Sequence, residues 1–158
     1  MIRPDEKSPE HIKRLISNVD ITKTLISMNK NKDLSTIEDI QLLVNDFYGT
    51  VREDKLLAPV FNGVVGDRWS EHMEKMYRFW QTVLLNEHTY FSSPFLPHAK
   101  LPIQKVHFEH WLYLWNAAVD RHFSGEKANE AKWRGEKMAA IFLSKIEYLN
   151  VHKMTHLL

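Results

Sequence analysis

One stretch of this chain limits its fold more than any other: Pro94-Phe95-Leu96-Pro97-His98-Ala99-Lys100-Leu101-Pro102. Proline has no backbone N–H, fixes φ, and drives the residue before it out of the α region. No long helix can cross three prolines in nine residues, so the stretch is expected to be a stiff loop with at most one helical turn. One histidine, His98, is framed by those prolines and by apolar neighbours. A backbone held that tightly suits an imidazole that must aim one nitrogen at a fixed target. An ordinary proline-rich turn would carry a histidine in the same way, and the stretch alone does not choose between them.

On either side the periodicity is helical. Ser35-Thr36 followed by Glu38 and Asp39 is a helix start. Ile37, Ile40, Val44, Phe47, Tyr48 and Val51 then recur at helical spacing up to about Asp54. Leu56 to Phe61 reads as a short apolar connection with one helical turn, and Asn62-Gly63 and Gly66-Asp67 read as turns. A second strong helix is predicted from about Asp67 to Asn86, with Trp69, Met73, Met76, Phe79, Trp80, Val83 and His72 on one stripe. Glu87 to Pro102 is long for a connection, and its aromatics and prolines suggest an ordered, functional loop. A third helix is expected from about Gln104 to Phe123, with Val106, Phe108, Trp111, Leu112, Trp115 and Val119 inward. A fourth is expected from about Asn129 to Tyr148, with Met138, Ile141, Phe142, Ile146 and Leu149 inward. Sustained period-two alternation is missing, so the fold class is all-α. The expected organisation is an N-terminal extension over 1–34, partly disordered or one docked helix, then a domain over 35–150 and a C-terminal tail over 151–158.

Composition narrows the chemistry. The chain of 158 residues has no cysteine, which excludes disulfides, thiolate zinc sites, iron–sulfur clusters and cysteine nucleophiles. Any metal must be held by histidine, carboxylate or tyrosine. A formal net charge of +1 gives no general basic surface, so nucleic acid is not an expected partner. The charged start leads into no apolar leader and no run reaches membrane-spanning length, so the expectation is a cytoplasmic protein with no membrane partner. Five Trp, eight Phe and five Tyr call for a thick core or a flat apolar guest.

Several site chemistries fall away. No histidine has Glu three residues before it, so the carboxylate-bridged di-iron bundle is excluded. His-Glu-x-x-His, a Gly-rich phosphate loop and a Gly-x-Ser-x-Gly elbow are all absent. His152 and His156, four apart, read as solvated, and His107 and His110 as surface or helix-start residues. What remains is a separated set: Tyr48 on the inward face of the first helix, His72 on that of the second, Trp111 on that of the third. Each alone is more often a core residue whose polar tip finds a partner. Opposite the rigid His98, the three together describe the two sides of a haem.

The chain resembles the truncated haemoglobins, and more closely their third group. The resemblance rests on Asp46-Phe47-Tyr48, Ala58-Pro59-Val60-Phe61, Trp69-Ser70-Glu71-His72, Phe79-Trp80, Tyr90, the Pro94–Pro102 run, and His107-Phe108-Glu109-His110-Trp111-Leu112, from about Ile37 to Ile146. It implies a two-on-two sandwich of helices around haem b, with the proximal helix reduced to a loop. His98 is then the proximal iron ligand, and Tyr48, His72 and Trp111 stabilise a ligand on the distal side. Phe61, Met73, Met76 and Phe79 pack on the porphyrin, Lys75 pairs with a propionate, and Leu101, Phe108 and Phe142 form walls. His72 could also swing in and ligate iron itself. One departure stands out: family members usually carry glycines around the tyrosine before the proximal loop, and Asn86-Glu87-His88-Thr89-Tyr90-Phe91-Ser92-Ser93 has none.

The resemblance implies a protein that binds oxygen, nitric oxide, carbon monoxide, cyanide or sulfide. Two or three distal donors suit ligand retention, or redox chemistry on nitric oxide or peroxide, better than bulk oxygen delivery. Nitric oxide dioxygenase or peroxidase-like turnover would need an external reductase, so enzyme status stays open. Two alternatives compete with this reading: a gas sensor acting on a partner through residues 1–34, and a helical interaction module that has lost haem.

Overall fold

Thr36 starts the first helix as its sequence predicts. Its hydroxyl accepts from the Asp39 amide at 3.3 Å, and the Asp39 carboxylate accepts from the Thr36 amide at 3.1 Å. This reciprocal pair satisfies two amides that the first turn leaves unpaired. The computed structural model describes residues 32–155, which form five α-helices and one 3₁₀ turn. The expected extension lies outside the described residues except for Lys32, Asp33 and Leu34, as do residues 156–158 of the expected tail. Among the described residues there is no strand, and no helix is long and apolar enough to cross a membrane.

Helix α1 (Ile37–Glu53) buries Ile40, Leu43, Val44, Phe47, Tyr48 and Val51 along one face. Asp54 ends it, and its carboxylate accepts from the amides of Leu56 and Leu57, both at 2.9 Å, which opens α2 (Ala58–Val65). The expectation of a single turn followed by an Asn62-Gly63 corner is corrected here: both residues lie inside α2. Pro59 suits a first helical turn, and the apolar run Val60, Phe61, Val64, Val65 gains more by packing than Asn62 and Gly63 lose in helix propensity. The corner comes later, at Gly66, with φ 60°.

Helix α3 (Trp69–Leu85) presents two inward faces rather than one apolar stripe. Positions 69, 73, 76, 80 and 84 pack on the core, and positions 72, 75, 76 and 79 face a cavity. Asn86 stops the helix in the left-handed region at φ 57°. Asparagine tolerates that conformation better than most residues, so a change of chain direction is made here without glycine. Thr82 then ties the loop back, accepting from the amides of Thr89 and Tyr90 at 3.1 and 3.0 Å. The only regular piece of the loop is one 3₁₀ turn, Leu96–His98, as its prolines require.

Helix α4 (Lys105–His122) begins where Gln104 and His107 cap each other, and the His107 ring accepts from the Gln104 amide at 3.1 Å. Helix α5 (Glu126–Thr155) is longer than its apolar pattern predicts at both ends. No proline interrupts it, and Asp33 caps its start by accepting from the amides of Lys127 and Ala128, both at 2.9 Å. Burial alone would raise the Asp33 carboxyl, but these amides and those of Leu34 and Glu126 outweigh it and hold the pKa down. Gly125 turns at φ 140°, and a Cβ there would collide with the Asp33 carboxylate. Two inward expectations are corrected. Val106 is 50% exposed because the packed stripe of α4 runs through 108, 111, 115 and 119. Ile141 is 52% exposed because that of α5 runs through 128, 131, 135, 139, 142 and 146.

Helix α1 packs on α3, α4 on α5, and the two pairs meet through α1–α4 and α3–α5 contacts. The core between them holds Phe47, Trp80, Trp115, Phe123 and Leu34, all nearly or fully buried. Three indoles stack there. Trp80 and Trp115 lie 4.2 Å apart at 17°, and Trp111 lies 5.6 Å from Trp115 at 13°. The Trp115 N–H donates to the Ala131 carbonyl at 3.0 Å.

Candidate functional site

A cavity of about 700 Å³ opens between α2, α3, the 87–104 loop, α4 and α5. Its size is within the range of pockets that enclose a flat organic cofactor. One wall is the loop. There the N–H donated to Pro94 O fixes the His98 ring, with Nδ1 2.7 Å from the carbonyl oxygen. A carbonyl only accepts, so Nδ1 carries the proton and Nε2 is left as a bare lone pair. The backbone turn holds the same residue from behind, since the His98 amide donates to Phe95 O at 2.8 Å. Phe142 of α5 packs on the imidazole at 4.9 Å between ring centroids.

Tyr48, Phe61 and Trp69 form an aromatic box around the imidazole of His72. The His72 ring stands 5.0 Å from Tyr48 at 89° and 5.5 Å from Trp69 at 86°. Its Nε2 is buried and has no hydrogen-bond partner among the described residues. An orphaned buried nitrogen is costly, and this one lines the cavity. Burial pulls the His72 pKa down from 6.5 to about 4, helped by the positive charges that His98 and Lys75 would bring. Burial also lowers His98, against the raising effect of the Pro94 carbonyl. Desolvation pushes the Tyr48 phenol above its ordinary value, so it keeps its proton and remains a donor.

A sign follows for stability. Below pH 6.5 the unfolded chain protonates His72 while the folded chain does not until about pH 4. Stability is therefore full above pH 6.5 and falls as pH drops toward 4. The haem-free protein is expected to lose up to about 2 kcal/mol between pH 7.5 and 5 from this group. His98 acts in the same direction. Urea midpoints at the two pH values, compared with those of His72→Leu, test this: an equal pH slope in the variant would refute it.

Of the residues singled out from sequence, Tyr48, Phe61, His72, Lys75, Met76, Phe79, His98, Leu101, Phe108, Trp111 and Phe142 all line the cavity. Met73 does not. Its neighbour His72 takes the cavity stripe, and one residue along a helix is about 100° of rotation, so Met73 packs against the core instead. Sequence reasoning missed Arg68 and Arg78 on the same wall, and Met138 and Ala139 from α5. The two arginines were legible in principle, because 68, 71/72, 75 and 78/79 keep helical spacing. His110 and His122 serve elsewhere: each donates from Nε2 to a carboxylate of the α1 region, Asp54 at 2.6 Å and Asp46 at 3.0 Å.

The family model described as bacterial-like globin matches residues 33–142. The group 3 truncated hemoglobin ctb of Campylobacter jejuni is 35% identical over 109 residues, which is 66% of this chain and 86% of that protein. The chain belongs to the group III truncated haemoglobins. A crystal structure of a group III truncated hemoglobin from Campylobacter jejuni superposes with a TM-score of 0.69 at 32% identity, covering 73% of this chain and 94% of that one. Globins use haem to bind small ligands, and the cavity of this globin fits that cofactor. Its walls are mostly apolar, one histidine offers a bare nitrogen, a second buried histidine nitrogen lacks a partner, and Arg68, Lys75 and Arg78 supply cations for carboxylates.

Proposed function

We propose that this globin holds haem b through His98 and retains small ligands at a polar distal side formed by Tyr48, His72 and Trp111. The reading is carried by the two imidazoles across one cavity: His98 with Nδ1 committed to Pro94, and His72 with Nε2 unpartnered. Haem, when bound, would supply an iron able to bind oxygen, nitric oxide, carbon monoxide, cyanide or sulfide. Tyr48 and Trp111 direct hydrogen-bond donors toward a ligand held there, and His72 can donate or accept. Phe61, Met76, Phe79, Leu101, Phe108 and Phe142 pack on the macrocycle and exclude water, which strengthens each polar contact. Lys75 pairs with a propionate.

Each such donor contributes about 0.5–1.5 kcal/mol, or roughly two- to tenfold in ligand residence. Two or three together favour retention over easy delivery. Retention suits redox chemistry on nitric oxide or peroxide, with His72 moving a proton and an external reductant supplying electrons. A cytoplasmic location goes with this reading.

Absorption spectra of the ferric, reduced and carbon monoxide forms test the haem assignment; no Soret band after adding haemin would end it. Oxygen dissociation, followed by stopped flow, tests the distal assignment. Tyr48→Phe and Trp111→Phe are each expected to speed release by about two- to tenfold. Unchanged rates in both variants would remove the donors from the reading.

A further inference from the structure

Gly135 lies in the middle of α5, a place where glycine is a poor helix former. A Cβ built there would stand 2.9 Å from Trp115 Cδ1, 3.0 Å from Trp115 Nε1 and 3.4 Å from Trp111 Cζ3. Trp115 has little room to yield. It is fully buried, lies face to face with Trp80 at 4.2 Å, and meets the edge of Phe47 at 5.2 Å. Its N–H is tethered to Ala131 O, one turn before Gly135 on the same helix. Thus α5 both holds this indole and abuts it. The next ring in the stack is Trp111, nearly parallel to Trp115 and lining the cavity.

We propose that Gly135 is a positioning residue for the distal indole: its bare backbone lets α5 close onto the Trp115–Trp111 stack, and this contact sets where Trp111 stands in the cavity. The proposal rests on the reading of Trp111 as a distal donor. A methyl at position 135 needs about half an ångström more than the present gap to reach ordinary contact. Any shift forced on Trp115 is passed to Trp111, which stacks on it, and the methyl also touches Trp111 directly. A hydrogen bond is sensitive to shifts of this size.

The test uses the haem-loaded full chain in its carbon monoxide form, for which the C–O stretching band reports polar groups near the ligand. Gly135→Ala is expected to shift or split the band and to change oxygen dissociation by about two- to tenfold. Alanine is the better helix former, so a merely structural role would leave the band alone. In the double variant with Trp115→Phe, which lacks the abutted Cδ1–Nε1 edge, the band should return to that of Trp115→Phe alone. A wild-type band in Gly135→Ala, beside a shifted band in Trp111→Phe, would overturn the proposal and leave the distal reading intact. An unshifted band in Trp111→Phe would overturn both. Should Gly135→Ala fail to fold, Trp115→Phe alone decides: it withdraws the ring that carries the contact, so its band must differ from wild type, and an identical band would refute the proposal.

Discussion

His98→Ala is expected to lose haem to an apoglobin scavenger at least about 100-fold faster than the wild-type globin, since even the outer partners of metal ligands typically change affinity by 10–100-fold. The reason lies in the cavity's asymmetry. Its apolar walls can hold a porphyrin by packing, but the imidazole of His98 has Nδ1 committed to a carbonyl and Nε2 left as a lone pair, on a loop that local bonds make rigid. Alanine keeps that backbone and removes only the imidazole. Adding free imidazole should restore much of the wild-type spectrum, because the space left has the shape of the missing ring. Equal haem-loss rates in wild type and variant would transfer the ligand role to another histidine of the cavity, His72 or His107.

The second large effect concerns the fold. Trp115→Ala is expected to destabilise the haem-free protein by about 3–5 kcal/mol, the usual cost of emptying a buried aromatic site. Trp115 touches both helix pairs: it stacks on Trp80 of α3 and Trp111 of α4, meets Phe47 of α1, and bonds the backbone of α5. No single neighbour can collapse into the space without leaving a contact of its own. Denaturant melts of wild type and variant measure the loss directly. A change below about 1 kcal/mol would mean that the cavity is refilled. Trp115→Phe should cost much less, since it keeps an aromatic ring between Trp80 and Trp111.

Local chemistry was the legible part of this molecule. The Thr36–Asp39 cap, the helical stripes of α1 and α3, and the proline-bounded loop with its single 3₁₀ turn follow from spacing and from what proline forbids. The all-α class follows with them. Tyr48, His72 and Trp111 were legible because each lies on an inward helical stripe and His98 because prolines frame it, whereas Phe61, Lys75 and Leu101 came only from the family resemblance. Met73 lies outside the cavity lining because α3 has two inward directions, and the sequence pattern merges them into one. Asn62-Gly63 failed because a local turn preference was outweighed by packing that involves other helices. Long-range polar pairs left no signal. Asp33 and Lys127 are 94 positions apart, and His110 and Asp54 are 56 apart. Nothing in either local sequence announces the other. The Gly135 contact is of this kind too, since a glycine in a helix shows its purpose only when the facing indoles are in place.

The Pro94 carbonyl behind His98 has a further consequence, for the origin of any pH effect on ligand binding. A carboxylate in that place would take up a proton at low pH and could draw one from the imidazole, so the electron donation of the ring would vary with pH. A peptide carbonyl does neither in the physiological range. The proximal partner therefore exerts a constant pull, and the imidazole stays neutral rather than becoming anionic. A pH dependence of ligand kinetics should then trace to titratable side chains elsewhere around the cavity, with His72 contributing as pH falls toward 4, rather than to the partner behind His98.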